Sequence, residues 1–173
     1  MSRPRAKAPV AQIDGFLAKY SPEIASQLQA ARRHLAAHFP RGFELVYDNY
    51  NALVFAIASS ERASDAILSV ASYPQWVTLF FFRGIDLPDP TGILEGDGAQ
   101  VRSVRLQPPG KLHEPAVQAL VAAAKAAAGP ALEAAPALST IVKSVSARQR
   151  ERRPRADAKT SSPRGKRSKP RKS

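Results

Sequence analysis

Residues 43–82 read F-E-L-V-Y-D-N-Y-N-A-L-V-F-A-I-A-S-S-E-R-A-S-D-A-I-L-S-V-A-S-Y-P-Q-W-V-T-L-F-F-F, and this stretch decides the fold. Phe43, Leu45 and Tyr47 alternate with Glu44, Val46 and Asp48. Leu53, Phe55 and Ile57 alternate with Ala52, Val54, Ala56 and Ala58. Residues 67–73 and 76–82 form two further apolar runs. Each run is short, rich in β-branched and aromatic residues, and bounded by polar or Pro-containing segments, as strands are. The connections are too short to hold crossover helices, so consecutive strands must run antiparallel. Tyr73-Pro74-Gln75 is a tight corner, and residues 59–65 form a short loop.

Toward the N-terminus the period lengthens. Ile13, Phe16, Leu17 and Tyr20 recur at helical spacing. Ser21-Pro22-Glu23 then supplies a hydroxyl cap, a proline at the first helical position and an acid in the first turn. Ile24, Leu28, Ala31, Leu35 and Phe39 form a second stripe, and Pro40 and Gly42 end it. Toward the C-terminus, residues 101–106 predict a fifth strand and residues 114–128 an alanine-rich helix. Val117, Leu120, Val121 and Ala124 are its buried stripe, and Gly129-Pro130 is its stop. The β-branched run 140–145 predicts a sixth strand. Strands and helices are segregated, an α+β pattern. The expected fold is an antiparallel sheet of about five to six strands packed with N-terminal helices and one C-terminal helix.

The +12 formal charge of the 173 residues is unevenly placed. Residues 148–173 carry 12 Lys/Arg and 2 Asp/Glu, residues 1–10 carry three bases and no acid, and residues 11–147 sum to −1. The expected division is a basic N-terminal extension (1–10), an α+β domain (11–147) and a disordered basic tail (148–173). From Ala147 onward no apolar residue exceeds alanine, too little to offset the entropy of ordering. With no cysteine, disulfides, thiolate catalysis and cysteine-ligated metals are excluded, and a cytoplasmic location is expected. No signal-peptide pattern and no apolar run near the ~18–20 residues of a membrane span occurs, so no membrane partner is expected.

Alternation places Trp76, Thr78, Phe80 and Phe82 on one face of the fourth strand and Val77, Leu79 and Phe81 on the other. Both faces are apolar, whereas a half-exposed antiparallel sheet should have one polar side. A covering helix or loop, a homodimer interface and an apolar ligand cleft all account for this.

No catalytic apparatus is visible: there is no Gly-x-Ser-x-Gly elbow, no serine with an evident histidine partner and no phosphate or dinucleotide loop. Gly92, Gly96 and Gly98 precede a strand, which fits turn glycines. An amide nest holding an anion beside Arg102 is the other reading. Asp86, Asp89, Glu95 and Asp97 lack EF-hand spacing. His34 and His38 are four apart on the second helix, without a local third ligand; His38 flanks the buried stripe, His34 lies further toward solvent, and His113 is isolated. No metal ligand is assigned. Residues 47–51, Y-D-N-Y-N, join two strands with phenols and amides. A ligand rim of Tyr47, Asn49, Tyr50, Asn51, Arg83, Gly96, Gly98 and Arg102 follows. The tail offers Arg164, Lys166, Arg167, Lys169, Arg171 and Lys172 for nonspecific phosphate contact, although without aromatics it cannot stack on bases.

The runs F-E-L-V-Y-D-N-Y-N-A-L-V-F, W-V-T-L-F-F-F-R-G, L-E-G-D-G-A-Q-V-R-S-V-R-L and E-P-A-V-Q-A-L together resemble the YdhG-like family, a bacterial domain of unknown function. The resemblance covers roughly residues 12–129, and residues 141–154 resemble an extension of one subgroup. Its most specific part is Leu94, Gly96, Gly98, Arg102 and Arg105. Ala99 and Ser103 stand where relatives commonly have Lys and His. The resemblance implies a frataxin-like α+β sandwich and, for one branch, an iron chaperone, with iron as the cargo. Frataxin-type iron binding uses an acidic ridge on the first helix and strand, whereas the first 40 residues here hold only Asp14 and Glu23. The expected function is a noncatalytic cytoplasmic binding protein of unknown ligand. The alternatives are a nucleic-acid-associated protein acting through its tail, and a frataxin-like iron chaperone.

Overall fold

A computed structural model describes residues 9–153. Helix α1 (Pro9–Leu17) and helix α2 (Pro22–His38) come first. Strands β1 (Phe43–Asp48), β2 (Leu53–Ala58), β3 (Ala66–Ser72), β4 (Val77–Phe81) and β5 (Arg102–Arg105) follow, then a 3-10 helix (Pro109–His113), helix α3 (Pro115–Glu133) and strand β6 (Ser139–Val145). Ser21 caps α2 as its sequence predicts, its Oγ accepting from the Ile24 N–H at 3.4 Å. Gly129 (φ 54°, ψ −141°) breaks α3 in a conformation that a Cβ disfavours, which separates the main helix from a last turn begun by Pro130.

The sheet order is β5-β4-β3-β2-β1-β6. The first five strands pair antiparallel, as their short connections require. The sixth does not follow that rule: β6 lies parallel to β1, so the sheet is mixed. The reason is the connection. Between β5 and β6 the chain spends α3 crossing to the far edge, and a crossover of that length delivers a strand in either sense.

The three helices contribute to one core with one face of the sheet. Ile13, Phe16, Leu28, Leu35, Val117, Leu120 and Val121 meet Val46, Phe55, Val70, Leu79 and Val104 there. The other face carries a separate cluster of strand residues in which no helix residue takes part: Leu45, Ala56 and Ala58, flanked by Phe43, Tyr47, Phe82 and Ile141. Of the readings of the apolar second face, covering by a helix is thus ruled out for the described helices. The alternation of β1 is also placed. Its polar members, Glu44 and Asp48, point with Val46 toward the helices, and its aromatic members point away.

Two expected boundaries shift. Helix α1 begins at Pro9, inside the expected N-terminal extension. The expected tail begins at 148, yet residues 146–153 run on alongside β1: Ser146 N–H donates to Asp48 O at 2.8 Å, Arg150 N–H to Tyr50 O at 2.8 Å, and Arg152 is 3 % exposed. The physical reason is an ion pair, described below, that hydrophobic patterning does not register. The remainder of the expected tail, including Arg164, Lys166, Arg167, Lys169, Arg171 and Lys172, lies outside the described residues. No helix of the described residues is long and apolar enough to cross a membrane.

Gly42 joins α2 to β1 at φ +111°, and a Cβ there would sit 2.5 Å from Ala58 O. Gly42→Ala is expected to lower stability by roughly 1–3 kcal/mol, read as a lower urea midpoint with an unchanged slope.

Candidate functional site

The sheet has two ends. The β1–β2 turn (residues 49–52), the β3–β4 turn (residues 73–76) and the ends of β5 and β6 share one, the turn end. The starts of β1, β5 and β6 share the other with Ala58, Phe81 and Arg83. The expected ligand rim is split between them. Asn49, Tyr50 and Asn51 are exposed at the turn end, and Tyr47 is next to it on the helix-free face. Arg83, Gly96, Gly98 and Arg102 belong to the opposite end. Strands of this length put the two groups roughly 17 Å apart along the sheet axis alone. They do not form one site.

The residues at the opposite end are also already engaged. Arg83 donates from Nε and Nη2 to Asp86 at 3.0 and 2.8 Å. Arg102 donates to the carbonyls of Gly98 and Val101 at 2.6 and 2.8 Å. A nest presents amides to an anion, whereas this loop presents carbonyls to its own arginine. The glycines thus act as turn glycines: Glu95 and Ser103 exchange two backbone hydrogen bonds of 2.9 Å, folding the segment back on β5. Asp89 accepts from the Ile93 and Leu94 N–H groups at 3.0 and 2.9 Å, a loop-closing role. A cavity of about 470 Å³ at this end is lined by Asp65, Ile67, Phe81, Arg83, Asp86 and Ala124, among others, and its rim charges pair as Arg62–Asp65 and Arg83–Asp86.

The turn end is built around Asp48, the last residue of β1, whose exposure is 0 %. Lys19 Nζ donates to one carboxylate oxygen at 2.6 Å and Arg152 Nη2 to the other at 3.1 Å. Arg152 also donates to Asn49 O and, from Nη1, to the Tyr20 hydroxyl at 2.8 Å. That hydroxyl accepts a second bond from the Leu53 N–H at 3.0 Å and donates to Ser72 O at 2.8 Å, which uses its full capacity. Burial pushes the Tyr20 phenol above its ordinary value, although the Arg152 charge opposes the shift, so the group stays protonated. Gln149 completes the network, accepting from Lys19 at 2.6 Å and donating to Asp48 O at 3.2 Å. None of Asp48, Lys19, Tyr20 or Arg152 stands out as a site residue in the sequence. The available signal was the register of β1, which sets Asp48 on the same side as the apolar Val46.

This network holds a cationic surface. Arg148, Arg150 and Arg153 are exposed beside the exposed Asn49, Tyr50 and Asn51, with Glu151 as the acid in the same run. Arg153 is held by Ala18 O at 3.1 Å. Arg105 stacks 4.4 Å over Trp76, which itself stacks on Tyr73 at 5.4 Å. Asp65 and Asp86 lie toward the opposite end, where each is paired with an arginine, Arg62 and Arg83.

His34 and His113 differ from expectation. His113 is not isolated, because the 3-10 helix brings its ring 5.0 Å from that of His34, which in turn lies 4.5 Å from His38. His34 Nε2 meets the Gln118 amide at 2.9–3.1 Å, and Gln118 also donates to Leu112 O. Burial lowers the His34 pKa below the ordinary 6.5; the Gln118 bond opposes the shift, and the charges of His38 and His113 add to it. Among the described residues no group of three His, Cys, Asp or Glu is arranged to hold a metal ion.

Two outcomes are expected. Arg152→Ala leaves the buried Asp48 carboxylate with Lys19 alone, and should cost about 3–5 kcal/mol of unfolding free energy in urea titrations. The depressed His34 pKa means that the unfolded chain binds more protons just below pH 6.5. Stability should therefore be complete above that pH and fall as pH drops through the window beneath it. His34→Gln should flatten that slope in melting curves taken between pH 7 and 5.

No family model, no curated protein and no solved structure matches the chain.

Proposed function

We propose that this chain is a noncatalytic nucleic-acid-associated protein that contacts phosphates through its basic C-terminal segment. The observation that carries this reading is the anchoring of that segment. Arg152 is buried against Asp48 and Tyr20, so Arg148, Arg150 and Arg153 are displayed at the turn end. Residues 154–173 continue from there with eight Lys/Arg and one acid. Phosphate binding of this kind needs clustered cations that are not consumed by internal ion pairs. At the turn end Arg148, Arg150 and Arg153 are exposed, whereas Arg83 at the opposite end is paired with Asp86. Membership of the YdhG-like family and a cytoplasmic location belong to the same proposal, supported by the quoted motifs and by an α+β fold of the kind the resemblance implies. Iron delivery is the less favoured reading: the first helix and strand offer no acidic ridge, and the carboxylates of β1, Glu44 and Asp48, are turned inward onto Arg32, Lys19 and Arg152.

The test is affinity against salt for the full chain and for a variant with Arg164, Lys166, Arg167, Lys169, Arg171 and Lys172 all replaced by Gln. The slope of log K against log salt should become shallower by up to ~5 in the variant. Equal slopes in the two proteins would remove the segment as the contact.

A further inference from the structure

We propose that the turn end is a single-strand platform: an unpaired base stacks on Tyr50 while its flanking phosphates meet Arg148, Arg150 and Arg153. This rests on the nucleic-acid reading above and specifies which form of nucleic acid is bound.

The geometry supports it in three ways. Tyr50 is 53 % exposed. It makes no ring or cation stacking contact among the described residues, unlike Trp76, which is already engaged by Tyr73 and Arg105. The ring is also displayed on fixed backbone: Asn49 N–H closes the turn onto Ala52 O at 2.9 Å, and Arg150 N–H holds Tyr50 O at 2.8 Å. A rigid display limits the ordering cost of binding. Finally, the backbone bond from Arg150 to Tyr50 puts the basic run directly beside the ring, with the amides of Asn49 and Asn51 on either side of it in the chain.

Exposed cations beside an exposed aromatic ring suit single strands, because every base has a π-face to offer. Duplex bases are stacked on both faces and cannot use an aromatic residue on a protruding turn. The basic tail alone, having no aromatic residue, would not discriminate between the two forms. Tyr50 supplies the missing ring from the folded domain.

The experiment measures binding of the full chain to a fluorescent single-stranded oligonucleotide and to a hairpin duplex of the same composition, at fixed salt. It compares the natural chain with Tyr50→Ala and Tyr50→Phe. Tyr50→Ala should weaken single-strand binding about tenfold, Tyr50→Phe should retain it, and duplex binding should be the same in all three. Unchanged single-strand affinity in Tyr50→Ala, or equal losses for both nucleic acids, would overturn the platform and leave the phosphate contact standing. Failure of the natural chain to bind either nucleic acid would instead overturn the underlying reading, and the platform with it.

Discussion

A buried carboxylate must find cations, and much of this molecule is arranged by that need. Asp48 ends β1, the first strand of the β1–β2 hairpin, facing the helices, where isolated charge is heavily penalised. Lys19 comes from the α1–α2 corner and Arg152 from beyond the last strand. Satisfying one side chain therefore ties three distant parts of the chain together. Tyr20 extends the same network to β2 and β3 through Leu53 and Ser72. Glu44, four positions upstream on the same face, repeats the solution with Arg32 and Thr140, so the inward face of β1 is held by polar bonds at both ends and by Val46 between them.

This arrangement has a consequence for the helix-free face. With its polar members turned inward, β1 turns Phe43, Leu45 and Tyr47 outward, where they join Ile141 of β6 and Phe82 in a cluster of their own. The two-sided apolar character read from β4 thus extends across the sheet. It is a feature of the whole layer and not of one strand.

The elements were legible because their signals are local. Alternation gave β1 to β4, apolar stripes gave α2 and α3, and short connections gave the antiparallel order. What was not legible depends on register and on distant charge. The parallel placement of β6 follows from a crossover whose landing edge has no local signature. The continuation of ordered chain through residues 146–153 has no local signature, because Arg152 is one arginine among many in a basic run and only its partner at position 48 distinguishes it. The split of the expected ligand rim between two ends of the sheet has a related reason. The rim's members stand out by residue type, and type carries no information on which end of a sheet a side chain occupies. His113 was missed as a neighbour of His34 because a 3-10 helix and a helical face 79 positions apart in the chain meet only in three dimensions.

Where the molecule has charge left over is therefore the useful question. At the opposite end, Arg83 and Arg62 have carboxylate partners and Arg102 serves its own loop, so the cavity there offers an apolar floor under a rim of satisfied ions. At the turn end the buried anion is satisfied by Lys19 and by Arg152, and Arg152 belongs to a chain segment that carries several more cations. Anchoring spends Arg152 and leaves Arg148, Arg150 and Arg153 on the surface, each within a few residues of the anchor. A solvated tail displays its charges over a large volume and ordering it costs entropy on binding. By fastening the root of the tail beside Tyr50, the fold turns the first of those charges into a preorganised surface. Among the described residues the placing of this basic run thus follows from one buried carboxylate: Asp48 takes Arg152 inward, and Arg148, Arg150 and Arg153 stay exposed around it.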